Sequence, residues 1–209
     1  MESLEKEIND FLETFPKFKQ LRITIKFLGY PEVINYENEK IPDESGEVTI
    51  GNGVYNEQME IDLRNISSIT HEFGHLVDDY SINLGNNELW STRTDFAILH
   101  HIYSKEIDKQ IKEEFKDDPH YEYKRNMIRD YACESFEVYA RLFQQYYLDV
   151  YGETQLTRMK EPLDIEDKTA RNVYQEHKEL IDNYFDEVYY NVQFEPNLLD
   201  VNEQLGRSL

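Results

Sequence analysis

The sequence lacks the features that mark disulfide-bonded, secreted or membrane-spanning proteins. Cys133 is the only cysteine among 209 residues, which excludes an intramolecular disulfide and a cysteine-rich zinc site. No 18 apolar residues run together, and the N-terminus MESLEKEINDFLETF lacks a basic region followed by an apolar core. The chain is therefore predicted to be cytoplasmic and without membrane contact, with export by another route left open.

Basic residues are scarce relative to acidic ones. The 22 Lys and Arg face 43 Asp and Glu, which gives a net charge of −21 and a pI near 4.6. This balance argues against binding to nucleic acid or to anionic membrane surfaces, because both carry negative charge. It favours a basic partner or substrate; the alternative is an acidic surface that serves only solubility.

The length and composition fit one folded domain over residues 1–209. Hydrophobic residues make up 39% and aromatic residues 13% of the chain, enough for a real core. The pattern predicts an N-terminal helix over 1–18, strands near 21–28, 47–50 and 55–63, and helices from the motif described below nearly to the end. The predicted class is α+β, a small N-terminal β-sheet followed by a mostly helical part, with a tail over 195–209 and a monomeric state.

The most informative segment is His71-Glu72-Phe73-Gly74-His75. A four-residue step on an α-helix turns only about 40° past a full circle, so both imidazoles face one point where a metal ion fits. Glu72 can reach a water held on that metal, which predicts a zinc hydrolase with Glu72 as the general base. The alternative is an ordinary amphipathic helix that happens to carry two histidines.

Apolar and polar residues around the motif predict the neighbouring elements. Phe73, Leu76 and Val77 give the motif helix an apolar stripe, and Gly85 gives it a stop. Further helices are predicted over 94–115, 123–151 and 167–192. Residues 55–63 alternate in polarity and could form a sheet edge that pairs with an extended peptide, although an ordinary edge fits as well.

A catalytic zinc takes three protein ligands and keeps one position for water, so one ligand remains to be found. Glu134 and Glu137 are the candidates. We prefer Glu137, because the small residues Cys133 at i−4 and Ala140 at i+3 let its face lie tight against the motif helix. The alternative for either is a solvated helix carboxylate.

Two acids follow the second histidine. Asp78 and Asp79 lie three and four residues after His75, where a carboxylate can accept a hydrogen bond from the imidazole and fix its tautomer. One of them is predicted to orient His75, and the alternative is a pair of acids at a fraying helix end. The remaining histidines lack ligand spacing and are predicted to be structural or exposed: His100, His101, His120 and His177.

The blocks HEFGHLVDDY and EVYARLF resemble the catalytic domain of anthrax lethal factor and its relatives, among them the Pro-Pro endopeptidases. The resemblance covers about residues 55–143 and is sharp only in those blocks. It implies a zincin-like domain of the gluzincin type, with His71, His75 and Glu137 as zinc ligands and Glu72 as general base. Zincin-like domains of phages and mobile elements share both blocks, so membership of the toxin branch does not follow.

The same resemblance implies a tyrosine that donates to the oxyanion shortly before the third ligand. Tyr131 lies six residues before Glu137, one residue closer than the family spacing, with Tyr123 and Tyr121 as reserves. A phenol suits this role because it is neutral at pH 7 and can donate a hydrogen bond to developing negative charge. With 16 tyrosines in the chain, a packing role is the alternative.

The sequence thus predicts a zinc-dependent endopeptidase that hydrolyses peptide bonds through a zinc-bound water activated by Glu72. The alternative from a different class is a zincin-like binding or regulatory protein without efficient turnover. A third possibility is an acidic structural protein with an accidental motif.

Overall fold

The structure, a computed structural model, describes residues 24–27, 53–56, 60–63, 69–83, 88–153, 159 and 163–194. Five α-helices lie within these ranges: α1 (Ile69–Asn83), α2 (Phe96–Phe115), α3 (Tyr121–Ala132), α4 (Ser135–Tyr151) and α5 (Ile165–Phe194), with a 3₁₀-helix at Trp90–Thr92 between α1 and α2. The predicted helix over 1–18, the predicted strand over 47–50 and the predicted tail over 195–209 lie outside the described residues.

The predicted α+β class is wrong. Of the residues whose side chains the structure describes, 84% are helical and none lies in a strand, so the fold is a helical one. The alternating polarity of the predicted strands indicates only a local backbone preference. It does not show what fraction of the chain folds into packed helices. None of the helices in the described ranges combines the length and the apolar character needed to cross a bilayer.

Among the described residues, the β-strands are three segments of four residues each, β1 (Thr24–Phe27), β2 (Gly53–Asn56) and β3 (Glu60–Leu63). Their order is β1-β3-β2, with β3 parallel to β1 and antiparallel to β2. Because β3 has a neighbour on both sides, the prediction that this segment forms a peptide-binding sheet edge is wrong.

The central contact of the fold joins α1 and α4, the two helices that pack most extensively on each other. Phe73, Leu76 and Val77 on α1 are almost completely buried, as the apolar stripe predicts. The axes approach closely at Gly74, where a Cβ atom would lie 2.7 Å from the Cα of Ala140. Glycine and alanine at this crossing therefore let α4 lie directly against the motif helix.

The predicted helix over 123–151 is two helices. Cys133 and Glu134 leave the helical path, with Glu134 in extended conformation at φ −63° and ψ 133° before α4 begins. The His100 imidazole, on α2, donates a hydrogen bond from Nε2 to the Cys133 carbonyl at 2.8 Å. This contact comes from a residue 33 positions earlier, so local periodicity did not reveal the break.

Helix α5 closes the core against α2 and α4. Its backbone leaves helical geometry at His177, with φ −122° and ψ 29°, so the helix is kinked there. Aromatic rings fill the space between α5 and its neighbours, in tilted and edge-to-face pairs of the kind that aromatic quadrupoles favour: Phe96, Tyr139, Phe143, Tyr146, Tyr184 and Phe185.

Candidate metal centre

Three side chains from α1 and α4 meet at one point beside the close helix crossing. The Nε2 atoms of His71 and His75 are 3.1 Å apart. Glu137 places one carboxylate oxygen 3.4 Å from His71 Nε2 and the other 3.6 Å from His75 Nε2. In the part of the chain that the structure describes, these residues form the one group of three whose ligand atoms could share a metal ion.

The spacing of these atoms suits tetrahedral zinc. Two ligand atoms at about 2.0–2.1 Å from zinc, in tetrahedral arrangement, lie about 3.3 Å from each other. The two imidazole nitrogens are 3.1 Å apart, and each lies 3.4 or 3.6 Å from a different oxygen of Glu137, so each of these contacts is close to that value. One ligand atom from each of the three residues lies within 4.8 Å of the other two. Two imidazoles and one carboxylate are also the donor set of many catalytic zinc sites, which leave a fourth position open.

Two buried atoms of the candidate ligands have no hydrogen-bond partner, namely His71 Nδ1 and Glu137 Oε2. Glu137 is only 5% exposed, and a buried carboxylate oxygen that accepts no hydrogen bond is costly in an interior. A cation between the imidazoles and this carboxylate would remove that cost for Oε2. The residues present therefore fit a bound zinc ion.

The protonation states also suit metal binding. Burial, with the neighbouring His71, lowers the pKa of His75 to about 3, so its imidazole is neutral at physiological pH. Burial by itself would raise the pKa of Glu137, but His71, Arg141 and His75 together bring it down to about 2. A neutral imidazole and an ionised carboxylate are the forms that bind zinc.

Arg141 is a member of this site that the sequence analysis missed. One of its guanidinium nitrogens lies 3.6 Å from Glu137 Oε2, and another donates a hydrogen bond to Asp167 Oδ1 at 2.9 Å. Arg141 is 8% exposed, and together with the buried Glu137 and the half-buried Asp167 it forms a chain of alternating charge. The sequence shows that Arg141 follows Glu137 by four residues. Its other partner, Asp167, lies on α5, and that contact depends on how α5 packs against α4.

Tyr131, the predicted oxyanion donor, lies near Arg141 and Glu137, on the side of α4 that carries the candidate ligand. Its ring centroid is 5.9 Å from the guanidinium carbon of Arg141. Burial raises the pKa of Tyr131, and the nearby carboxylates of Glu137 and Glu72 raise it further. The phenol therefore stays protonated and able to donate. The reserves Tyr123 and Tyr121 lie on the same helix, and Tyr123 is 71% exposed.

Glu72 follows the first histidine on α1 and is 5% exposed. Its negative charge is one of the causes that raise the pKa of Tyr131. Glu134, the alternative third ligand, lies exposed at the start of α4 and outside the group of three. The structure therefore brings together His71, His75 and Glu137, with Tyr131 and Glu72 close enough for the charges of Glu137 and Glu72 to raise the pKa of Tyr131, and it leaves Glu134 apart.

Asp78 has a different partner from the one predicted. Its Oδ1 accepts a hydrogen bond from the Ser91 backbone N–H at 2.7 Å, at the start of the 3₁₀-helix. Burial raises the pKa of Asp78 to about 7, against the lowering effect of the hydrogen bonds from Ser91 and Trp90. This residue joins α1 to the next segment of the chain. Asp79, at the following position, is half-buried.

Comparison of the chain with protein-family models, curated proteins and solved structures finds no match. Inferences about function therefore rest on the residue types and the geometry of the candidate metal centre.

Proposed function

We propose that the protein is a zinc-dependent endopeptidase, with zinc held by His71, His75 and Glu137. The observation that carries the proposal is the convergence of two imidazoles and one carboxylate, with one ligand atom from each within 4.8 Å of the others, and a buried glutamate directly after the first ligand. A structural zinc site is closed by four protein ligands, whereas three ligands and an adjacent base are the arrangement of hydrolytic sites. The likeness of HEFGHLVDDY and EVYARLF to lethal-factor-like zincins supports a peptide bond as the bond that is cleaved.

A bound zinc ion would supply Lewis acidity, polarising the scissile carbonyl and lowering the pKa of a water molecule toward about 7. Glu72 takes the proton of the attacking water and returns it to the amine that leaves. Tyr131 donates its phenolic hydrogen to the carbonyl oxygen as negative charge develops there.

Substitution of Glu72 tests this proposal. Glu72→Gln keeps the size of the side chain and removes the base, so we expect one bound zinc per chain and a loss of peptide hydrolysis of about 10²–10⁴-fold. Zinc is measured by elemental analysis and cleavage by mass spectrometry of a peptide library. Glu134→Gln, an exposed glutamate outside the metal group, is the matched control and should keep both zinc and activity.

Undiminished cleavage by zinc-loaded Glu72→Gln would overturn the mechanism. Stoichiometric zinc in a wild-type protein that cleaves no peptide would favour the alternative, a zincin-like binding protein without turnover. The cytoplasmic location, the monomeric state and the preference for a basic substrate stay predictions of the sequence.

A further inference from the structure

The junction between α3 and α4 separates two residues of the proposed reaction. Tyr131 is near the end of α3, and Glu137 is in the first turn of α4. Between them the backbone leaves helical geometry, with φ −99° and ψ 10° at Cys133 and φ −63° and ψ 133° at Glu134. Because the two helices are not continuous, helix geometry alone does not fix where Tyr131 lies relative to Glu137. Contacts with other elements must fix it.

One backbone group at the junction is bonded by a side chain from another helix. The Glu134 N–H donates to the Tyr131 carbonyl at 3.1 Å, and the first hydrogen bond of α4 runs from the Val138 N–H to the Glu134 carbonyl. The Cys133 carbonyl accepts from Nε2 of His100, on α2, at 2.8 Å. Because a carbonyl oxygen only accepts, His100 Nε2 must carry the proton. This hydrogen bond ties the junction to α2.

Packing holds α3 less firmly than it holds the other helices. Ala132 is the only residue of α3 that is fully buried. Arg125 and Arg129 lie 3.5 and 3.3 Å from the carboxylate of Asp108 on α2, but these three side chains are between 33% and 38% exposed. Ion pairs with this much exposure contribute little to stability. The His100 hydrogen bond, by contrast, holds the backbone at the junction itself.

Helix α2, which carries His100, is part of the core. It packs against α5 and against the 3₁₀-helix, and the Tyr103 hydroxyl donates to the Glu166 carbonyl at 3.1 Å. Five large hydrophobic or aromatic side chains of α2 are buried: Phe96, Leu99, Tyr103, Ile107 and Ile111. The His100 imidazole therefore extends from a firmly packed helix to a loosely packed one.

We propose that His100 is a positioning residue: its hydrogen bond to the Cys133 carbonyl fixes the end of α3 and thereby places the Tyr131 phenol for the oxyanion. This inference rests on the proposed function, because the role of Tyr131 in hydrolysis is what makes its placement matter. His100 acts through the backbone and needs no contact with the substrate. A misplacement of about 1 Å can lower a rate on the order of 100-fold, so the loss of this one hydrogen bond should be visible in turnover.

The first test compares His100→Gln with His100→Asn on peptides that wild type cleaves in a random 12-residue library. The glutamine amide can bring a donor close to the position of His100 Nε2, whereas the asparagine side chain is one methylene too short. We expect His100→Asn to lower kcat by about 10–100-fold and to leave KM within about twofold. His100→Gln should keep most of the wild-type kcat. His101→Asn, which changes the exposed neighbour on α2, is the matched control and should keep both constants.

A double-mutant cycle identifies the residue through which His100 acts. Tyr131→Phe removes the phenolic hydroxyl and keeps the ring. If His100 serves to place that hydroxyl, Tyr131→Phe and Tyr131→Phe/His100→Asn should have the same kcat within about twofold. Losses that multiply in the double variant would overturn the inference, because His100 would then act on another part of the site. Loss of zinc from His100→Asn would overturn it as well, since the effect would then fall on the ligands.

A spectroscopic measurement separates this inference from the proposed function, because it requires no turnover. With 3-fluorotyrosine in place of Tyr131 and cobalt in place of zinc, the paramagnetic shift of the fluorine resonance depends on the position of the ring relative to the metal. We expect His100→Asn to change this shift and His100→Gln to restore it. This pattern in a wild-type protein that cleaves no peptide would overturn the endopeptidase proposal alone. Cleavage by wild type, with kcat and the fluorine shift unaffected by His100→Asn, would overturn the inference alone.

Discussion

Gly74 on α1 faces Ala140 on α4 so closely that a methyl group on Gly74 would lie 2.7 Å from the Cα and 3.1 Å from the carbonyl oxygen of Ala140. Real Cβ atoms do not approach backbone atoms that closely, so Gly74→Ala must push the two helices apart. We expect the unfolding free energy to fall by about 1–3 kcal/mol through overpacking, a loss that outweighs the gain of about 1 kcal/mol from alanine's helix propensity. Urea unfolding measures the change.

The same displacement should weaken zinc binding, because α1 carries both histidines and α4 carries Glu137. The double variant Gly74→Ala/Ala140→Gly removes only one of the three close contacts, since the other two are to backbone atoms. It should therefore recover little of the lost zinc affinity. Full recovery would show that the methyl of Ala140, and not the approach of the backbones, sets the helix spacing.

A second prediction separates the two candidate carboxylate ligands. Glu137→Gln replaces a buried ligand oxygen by a weaker donor, so zinc stoichiometry should fall well below one per chain after dialysis. Glu134→Gln changes an exposed side chain and should retain one zinc per chain. Elemental analysis and competition with a chromogenic chelator measure both. Zinc retained by Glu137→Gln and lost by Glu134→Gln would reverse the assignment.

A third prediction concerns the pH dependence of stability. The pKa of Asp78 is raised by burial to about 7 from the ordinary value of 3.8, so the folded protein binds a proton there that the unfolded chain releases. The neutral Asp78 carboxyl makes its full contribution to the free energy of unfolding below about pH 4. This contribution is lost as the pH rises through about 7. The total loss is on the order of 4 kcal/mol.

Asp78→Asn should remove this loss, because an amide does not titrate and its oxygen can still accept from the Ser91 N–H. Urea unfolding between pH 4 and pH 8 should then show a smaller decline in stability for the variant than for wild type. Parallel declines in the two proteins would contradict the prediction.

A fourth prediction concerns the buried charges behind Glu137. Arg141→Met leaves Asp167 and Glu137 without their shared cation, and loss of one partner from a buried ion pair costs about 3–5 kcal/mol. Zinc affinity should also fall by about tenfold or more, since Glu137 loses a neighbour that orients it. Both effects are measurable, by urea unfolding of metal-free protein and by chelator competition.

The exposed ion pair between Lys178 and Asp149 provides the control for this prediction. Both side chains are about half exposed, so Lys178→Met should change stability by less than about 1 kcal/mol and should leave zinc binding unchanged. If Arg141→Met and Lys178→Met lower the free energy of unfolding by similar amounts, burial of the ion pairs of Arg141 does not increase their contribution to stability.

Local patterns in the sequence predicted much of the motif helix. The four-residue step in HEFGH and the apolar positions 73, 76 and 77 are properties of a single helix, and α1 has both. The preference for Glu137 rested on two small neighbours. Ala140 does lie at the close crossing with α1, but Cys133 precedes the start of α4, so that half of the reasoning was wrong.

Features that depend on contacts between distant segments could not be read from the sequence. The pairing of Arg141 with Asp167 joins residues 26 positions apart and requires α5 to dock first. Asp78 has the spacing of a partner for His75, yet Ser91 on a later segment binds it. The fold class failed for a related reason, since residues with strand-like alternation form only short extended segments beside a large helical core.

The break at Cys133 and Glu134 bears on how distant relatives of this protein should be sought. On one continuous helix, six residues turn the chain by about 600°, which would point Tyr131 and Glu137 in different directions. Because the two residues lie on separate helices, an insertion or deletion at the break could be absorbed there without rotating either side chain. An alignment that penalises a gap between the phenol and the carboxylate would therefore discard true homologues, whereas one that allows a gap at this junction would keep them.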